Sequence, residues 1–149
     1  MTIPGNSKMI VVSNRLPIVL RKDGGQLWMQ KGSGGLVAAL SPILKNRGGL
    51  WIGWTGMTEK LPIQEIKKIL DPFSRESGFR LLPVFLSEQD RDLFYYGLSN
   101  EVIWPLFHDL QTRCRFDPSY WETYLEVNRK YSRTLVRHAE KEDFVWVHD

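Results

Sequence analysis

A chain of 149 residues with 42% hydrophobic and 25% charged residues can bury the core of about one globular domain. Its net charge of +3 comes from scattered Lys and Arg, which argues against a nucleic-acid binder, and no window approaches a membrane span. The single cysteine, Cys114, cannot form an internal disulfide, and the first residues lack the apolar stretch of a signal peptide, so we expect a cytoplasmic protein.

The first third of the chain predicts two strand-forming regions and a helix. The apolar run at residues 9–13 is typical of a buried central strand. The short runs 18–20 and 26–29 flank an Asp-Gly-Gly turn, which predicts a hairpin. A helix is predicted from Ser33 to the glycines at 48–49, with Pro42 expected to kink or divide it.

The remaining elements continue this alternation of strands and helices. They are predicted as a buried strand at 49–54, a short helix at 62–70, a strand at 79–85, a helix capped by Ser87, a helix at 99–107, a long helix from Asp117 to about His138, and a buried strand at 144–147. Pro83 places the 79–85 strand at a sheet edge, because proline cannot donate to the ladder.

Strands that alternate with helices indicate an α/β fold with a mainly parallel sheet flanked by helices. We see no linker or repeat and predict one domain over residues 1–149. The chain stops at His148-Asp149, directly after a predicted strand, where a loop and helix would ordinarily follow. We therefore expect the chain to be a fragment or truncated product of a longer protein.

Two stretches near the start could bind an anion. Arg15 follows the first predicted strand, at the sheet edge where α/β folds bind ligands, and its guanidinium suits phosphate. A solvated loop arginine is the alternative. Gly34 and Gly35 open a predicted helix after a strand, where backbone N–H groups favour phosphate, although glycines there are often turn residues only.

Aromatic residues near turns suggest a sugar site. Trp51 and Trp54 should point to opposite faces of their strand, with Trp51 in the core and Trp54 at the strand end, where a sugar could stack. Both being core residues is equally compatible with the pattern. Residues 94–109 add tyrosines and Trp104 around a glycine and a predicted helix N-cap at Ser99, which favours a site edge. No His or Cys cluster has metal-ligand spacing.

Taken together, these stretches resemble the trehalose-6-phosphate synthases, retaining glycosyltransferases with two Rossmann-like domains (the GT-B type). The matching segments occur in the family's order and cover the chain after residue 8: V-V-S-N-R-L-P, G-S-G-G-L, G-G-L-W-I-G-W-T-G, L-S-E-Q-D, Y-Y-G-L-S-N-E-V-I-W-P-L-F-H, Y-L-E-V-N and V-W-V-H-D. The second domain, which binds the nucleotide sugar, is absent from this sequence.

The resemblance implies transfer of glucose from UDP-glucose to glucose 6-phosphate with retention, without metal or cofactor, and leaves room for a homo-oligomer of the full-length protein. It gives no residue a certain catalytic role. By position, the glucose 6-phosphate site would comprise Arg15, Trp54, Tyr95 (or its neighbour Tyr96), Trp104 and Asp149. Gly34 and Gly35 would lie at the donor diphosphate. The isolated chain should not turn over.

Three alternatives remain open from the sequence. One is a related synthase with another acceptor, such as glycerol 3-phosphate. The second is a non-catalytic subunit that binds a sugar phosphate. A nucleic-acid binder is the third, and the scattered charge disfavours it.

Overall fold

Four parallel strands form the central sheet of the computed structural model, which describes residues 7–148. The strands in chain order are β1 (Met9–Arg15), β2 (Ile18–Asp23), β3 (Gln26–Lys31), β4 (Gly49–Trp54), β5 (Arg80–Val84) and β6 (Phe144–Val147). The sheet order is β5-β4-β1-β6, and every neighbouring pair is parallel. Strands β2 and β3 form a separate antiparallel hairpin, as predicted. The predicted α/β class is therefore confirmed.

The helices pack on both faces of this sheet. They are α1 (Gly35–Arg47), α2 (Ile63–Ser77), α3 (Glu88–Asp90), a π-helix (Arg91–Ile103), α4 (Trp104–Phe107), a 3-10 turn (Gln111–Arg113) and α5 (Pro118–Val136). Pro42 lies inside α1 without dividing it. The predicted end of α2 at residue 70 is wrong, because the helix continues past Pro72 and packs Phe73 against the core.

Alternating side chains of β1 enter two separate cores. Met9 and Val11 face α1, α2 and the hairpin, whereas Ile10 and Val12 face α5. Trp51 and Trp54 on β4 also lie in different cores, as their spacing predicted. Both faces of the central strands are thus buried, which explains the continuous apolar run at residues 9–13.

The two outer strands differ in exposure. The predicted edge position of β5 is confirmed, and the Leu81 N–H donates to Ser74 Oγ on α2 at 3.2 Å. Strand β6 was predicted to be buried, which is wrong. It pairs with β1 alone among the described residues, and its Trp146 and Val147 are 45% and 71% exposed. An apolar sequence shows that a strand can be buried, but not which neighbours cover it.

Within residues 7–148, no helix combines the length and the apolar character needed to cross a bilayer.

A buried carboxylate ties the start of α3 to α5. Ser87 caps the helix as predicted and forms a capping box with Asp90, in which each side chain accepts a hydrogen bond from the other residue's backbone N–H. Lys130 of α5 donates to the same carboxylate. Burial alone would raise the pKa of Asp90, but the hydrogen bonds from Lys130 and Ser87 outweigh it and hold the pKa below its ordinary value.

Asp90→Asn should lower the free energy of unfolding at pH 7 by about 1–3 kcal/mol, because the mutation removes the charge that pairs with Lys130. A carboxylate with a lowered pKa stabilises the fold fully above its unfolded pKa, roughly 3.9, and loses that contribution as the pH falls through the folded value. Urea unfolding at pH 7 and pH 3 should therefore show the mutant's deficit shrink in acid.

The control is Asp92→Asn, which removes an exposed carboxylate paired with Arg91 and should change the free energy of unfolding by less than about 0.5 kcal/mol. Equal losses for the two variants, or a deficit for Asp90→Asn that does not change with pH, would contradict the assignment.

Candidate functional site at the carboxyl edge of the sheet

Arg15 ends β1 at the carboxyl edge of the parallel sheet. Its partner in register is Trp54, the last residue of β4, and Leu16 N–H donates to the Trp54 carbonyl at 2.9 Å. The pairing shifts register between Val12 and Arg15, which marks an irregularity at the strand end. Gly53 permits this approach, since a Cβ there would lie 2.6 Å from backbone atoms of Arg15 and Leu16.

The Arg15 guanidinium lies between two aromatic rings. Its central carbon is 5.1 Å from the Trp54 ring centroid and 5.3 Å from that of Tyr95, distances at which a cation is attracted to the ring face. No carboxylate of residues 7–148 lies within ion-pair distance of Arg15. Its positive charge is thus held in place without being neutralised, which suits an anionic ligand.

Trp54 does not offer a ring to a sugar as it lies here. The residue is 2% exposed, and its indole N–H donates to the Met57 carbonyl at 2.7 Å. The expectation of sugar stacking on Trp54 is therefore corrected, because its ring packs in the core and supports Arg15. The strand-end position suggested exposure, but the ring packs in the core with Val127 and Tyr131 of α5, and only its N–H reaches the following turn.

The π-helix decides where the other aromatic residues point. Trp104 N–H donates to the Ser99 carbonyl five residues earlier, the spacing of a π-helix. Tyr95 and Trp104 are nine residues apart. That spacing would be about two and a half turns of an α-helix, on opposite sides, but roughly two turns of a π-helix. The π-helical spacing therefore places Tyr95 and Trp104 on the same side of the helix, while their rings make separate contacts, Tyr95 with Arg15 and Trp104 with His108.

The neighbouring tyrosines have different partners. Tyr95 contacts Arg15, whereas Tyr96 is half exposed and lies against the Arg91 guanidinium. Of the two tyrosines, Tyr95 is therefore the one that forms a contact group with Arg15 and Trp54. Trp104 is 53% exposed and stacks on His108 at a centroid distance of 4.1 Å, so its ring remains open to a ligand.

Ser99 was expected to cap a helix, which is wrong. It lies inside the π-helix, and its hydroxyl donates to the Phe94 carbonyl at 3.0 Å. A serine that follows Gly-Leu resembles a helix start in sequence, but Gly97 and Ser99 both lie inside the π-helix, which continues through them without a break.

Gly34 and Gly35 lie where the sequence predicted, at the N-terminus of α1. Gly34 is the N-cap, with φ −70°, and no side chain caps the helix. A Cβ at either glycine would meet nothing within 4 Å. Neither position requires glycine for its backbone conformation or packing in this structure, and the open space around both glycines is compatible with the close approach of a ligand. Their donor-binding role stays a prediction.

Asp149 lies outside the described residues. His148 N–H donates to the Val12 carbonyl at 2.7 Å, which places the end of β6 beside the carboxyl half of β1.

Sequence reasoning missed three residues that hold the strand end before Arg15. The Trp51 indole donates to Ser13 Oγ at 2.8 Å, and that hydroxyl donates to the Arg15 carbonyl at 2.7 Å. The Tyr131 hydroxyl of α5 donates to the Asn14 carbonyl at 2.7 Å. Tyr131 falls on an apolar position of the long helix in the sequence, and its hydroxyl is the one signal that it also has a polar partner.

A groove with a volume of about 820 Å³ lies elsewhere, along β5 between α2 and α5. None of the predicted site residues that the structure describes lines it. Within residues 7–148, no group of three or more His, Cys, Asp or Glu side chains could hold a metal ion.

The sheet and its edge residues define the class of the domain. In order of occurrence the parallel strands are arranged 3-2-1-4, so the order reverses at β1, beside which Rossmann-like folds bind their ligands. Arg15 stands at this reversal point, and the chain therefore has the topology of a Rossmann-like domain.

The chain belongs to glycosyltransferase family 20, whose family model matches residues 7–149. It is 39% identical to a trehalose-6-phosphate synthase of Mycolicibacterium smegmatis over 99% of its length, and 36% identical to an α,α-trehalose-phosphate synthase (UDP-forming) of Aspergillus niger. The chain spans 28% of the length of each of these curated relatives. The resemblance inferred from the motifs is confirmed.

Solved structures agree in fold. The chain is similar to a Burkholderia xenovorans α,α-trehalose-phosphate synthase in complex with glucose 6-phosphate, with a TM-score of 0.67, 27% identity and coverage of 96% of this chain and 28% of the other. An Escherichia coli protein bound with UDP-2-fluoro glucose gives a TM-score of 0.70 and 29% identity, at the same coverage.

Tyr120 of α5 packs on Gly97 and so supports the π-helix. A Cβ at Gly97 would lie 2.7 Å from the Tyr120 ring, whose hydroxyl donates to Glu101 at 2.8 Å. Alanine would by propensity stabilise a helix by about 1 kcal/mol relative to glycine. We expect Gly97→Ala instead to lower the free energy of unfolding by about 1–3 kcal/mol, because overpacking separates the π-helix from α5.

The measurement is a double-mutant cycle in urea. In a Tyr120→Ala background the same Gly97→Ala change should be neutral or stabilising, since the ring it meets is gone. A loss of equal size in both backgrounds would show that the Tyr120 contact does not constrain Gly97.

Proposed function

We propose that this chain forms the acceptor-binding part of a UDP-forming α,α-trehalose-phosphate synthase. In the proposed reaction the bond between glucose C1 and the UDP oxygen breaks, and a new bond forms from C1 to the anomeric oxygen of glucose 6-phosphate with retention. The acceptor's hydroxyl proton leaves with the departing diphosphate. The products are trehalose 6-phosphate and UDP, and the reaction as proposed takes UDP-glucose as co-substrate and requires no metal or cofactor.

One observation carries this proposal above the others: the Arg15 guanidinium is held between Trp54 and Tyr95 at the carboxyl edge of the sheet and pairs with no carboxylate of residues 7–148. An arginine fixed in this way can form the bidentate contact that a phosphate prefers. The related structures with glucose 6-phosphate and with a UDP-glucose analogue support an acceptor and a donor of these classes.

The other site residues fall into two groups in the proposal. Tyr95 and the open ring of Trp104 would border the hexose, and Asp149 would accept hydrogen bonds from its hydroxyls. Gly34 and Gly35 would let the donor diphosphate approach the N-terminus of α1, where uncapped N–H groups stabilise developing negative charge. Trp54 acts in support of Arg15.

Positioning is the main contribution that such residues can make. A retaining transfer without a protein nucleophile depends on holding the acceptor oxygen against the donor carbon. Basic residues for the leaving diphosphate would come from a second domain, so we propose that the full enzyme is longer than this chain. We further propose that it works in the cytoplasm, and that a homo-oligomer is compatible with its function.

Arg15→Ala in the longer enzyme should raise the KM for glucose 6-phosphate by about 10- to 100-fold, because a charge-assisted contact to phosphate is worth about 1.5–3 kcal/mol. The KM for UDP-glucose should change little. Steady-state kinetics with each substrate varied in turn make the comparison, and Arg133→Ala, which removes an exposed arginine of α5, is the matched control. Equal effects on both substrates would contradict the acceptor assignment.

The 149-residue chain alone should form no trehalose 6-phosphate from UDP-glucose and glucose 6-phosphate, because the proposed donor contacts lie mostly in the second domain. Mass spectrometry of the reaction mixture provides the measurement. Product formed by the pure chain would overturn the two-domain proposal. Replacing glucose 6-phosphate by glycerol 3-phosphate in the longer enzyme tests the acceptor, and faster turnover with the smaller phosphate would contradict our choice.

A further inference from the structure

The backbone from Ser13 to Arg15 is fastened from both faces of the sheet. From the α1 and α2 side, Trp51 donates to Ser13 Oγ, and this hydroxyl donates to the Arg15 carbonyl. From the α5 side, Tyr131 donates to the Asn14 carbonyl. Ser13, Asn14 and Arg15 thus each form a hydrogen bond with a buried side chain.

Tyr131 is well suited to be such a fastener. It is 8% exposed, and its ring packs in the core between α5 and the sheet. Burial raises the pKa of its phenol, an effect only partly opposed by the Trp54 backbone amide and the charge of Arg15. The hydroxyl therefore remains a proton donor over the ordinary pH range, and it lies close enough to Arg15 to be affected by its charge.

Loss of the hydrogen bond from Tyr131 to the Asn14 carbonyl would be costly, because Asn14 already carries one buried acceptor without a partner among the described residues. Asn14 Oδ1 is buried and has no hydrogen-bond partner among the described residues. Removing the Tyr131 hydroxyl would leave a second acceptor unpaired on the same residue, and a buried unpaired acceptor favours a change of conformation. That change would fall one residue before the arginine.

We propose that Tyr131 is a positioning residue for Arg15, whose guanidinium it keeps between Trp54 and Tyr95 through its hydrogen bond to the Asn14 carbonyl. The ligand involved, a sugar phosphate, rests on the function proposed above. A flexible arginine side chain loses entropy when it binds phosphate, and fixing its backbone and both ring contacts beforehand lowers that cost. Tyr131 itself touches no substrate.

Two conservative variants separate this role from general packing. Tyr131→Phe removes the hydroxyl and keeps the ring. Tyr124→Phe is the matched control, because Tyr124 lies seven residues earlier on α5, stacks on Phe94, and its hydroxyl has no partner within residues 7–148. Ser13→Ala tests the other fastening, and we expect it to act in the same direction as Tyr131→Phe.

The first measurement is the NMR signal of the Arg15 Nε–Hε group in the 149-residue chain without ligand. Ring currents of Trp54 and Tyr95 should shift this proton upfield. In Tyr131→Phe and in Ser13→Ala the signal should move toward that of a solvent-exposed arginine, whereas Tyr124→Phe should leave it in place. An unchanged signal in Tyr131→Phe would overturn the proposal, whatever the ligand proves to be.

The second measurement is kinetic and uses the longer enzyme. Tyr131→Phe should raise the KM for glucose 6-phosphate about fivefold and leave the KM for UDP-glucose unchanged, whereas Tyr124→Phe should change neither. A moved NMR signal without a KM change would overturn the link between positioning and acceptor binding. If Arg15→Ala also leaves the KM for glucose 6-phosphate unchanged, the proposed function fails, while the NMR result still decides whether Tyr131 positions Arg15.

Discussion

The close approach of β1 and β4 at Gly53 is the constraint on which the site depends. The backbone of Arg15 and Leu16 passes so near Gly53 that any side chain there would collide with it. This contact allows Leu16 to bond to the Trp54 carbonyl and places the Trp54 ring under the arginine. A parallel pair that diverged one residue earlier would leave Arg15 as an ordinary loop charge.

Helix α5 supports the parts of the site that follow Arg15 in the sequence. Lys130 of α5 holds the start of α3 through Asp90, and Tyr120 of the same helix packs on Gly97 in the π-helix. Helix α5 thus supports the segment that delivers Tyr95, and it also carries Tyr131 to the β1 strand end. One helix therefore coordinates two parts of the site that are far apart in sequence.

Much of this arrangement could be predicted from local patterns. Apolar runs, the Asp-Gly-Gly turn, Pro83 and the caps at Ser87 and Asp117 each depend on short-range chemistry, and the structure places them as expected. The family motifs also identified Arg15 and Tyr95, which the structure brings together.

The failures share a different origin. The burial of Trp54 depends on α5, which packs on its face of the sheet. The exposure of β6 depends on which strands flank it, and the interior position of Ser99 depends on a helix type with little sequence signature. Tyr131 looked like one apolar residue among many, since its hydrogen bond joins residues separated by 117 positions. Long-range partners of this kind cannot be deduced from periodicity.

The two edges of the sheet also have a consequence for how the sheet could grow. On β5, Leu81 and Pro83 face the outer edge of the sheet, because alternate residues of a strand point their backbone groups to the same side. Leu81 donates its N–H to Ser74 and Pro83 has no N–H, so neither residue offers a free donor to another strand. On β6, Trp146 and Val147 stay exposed and β1 is the sole neighbour among the described strands. A fifth parallel strand could therefore be added beside β6 but not beside β5, so the sheet can be extended at one edge only.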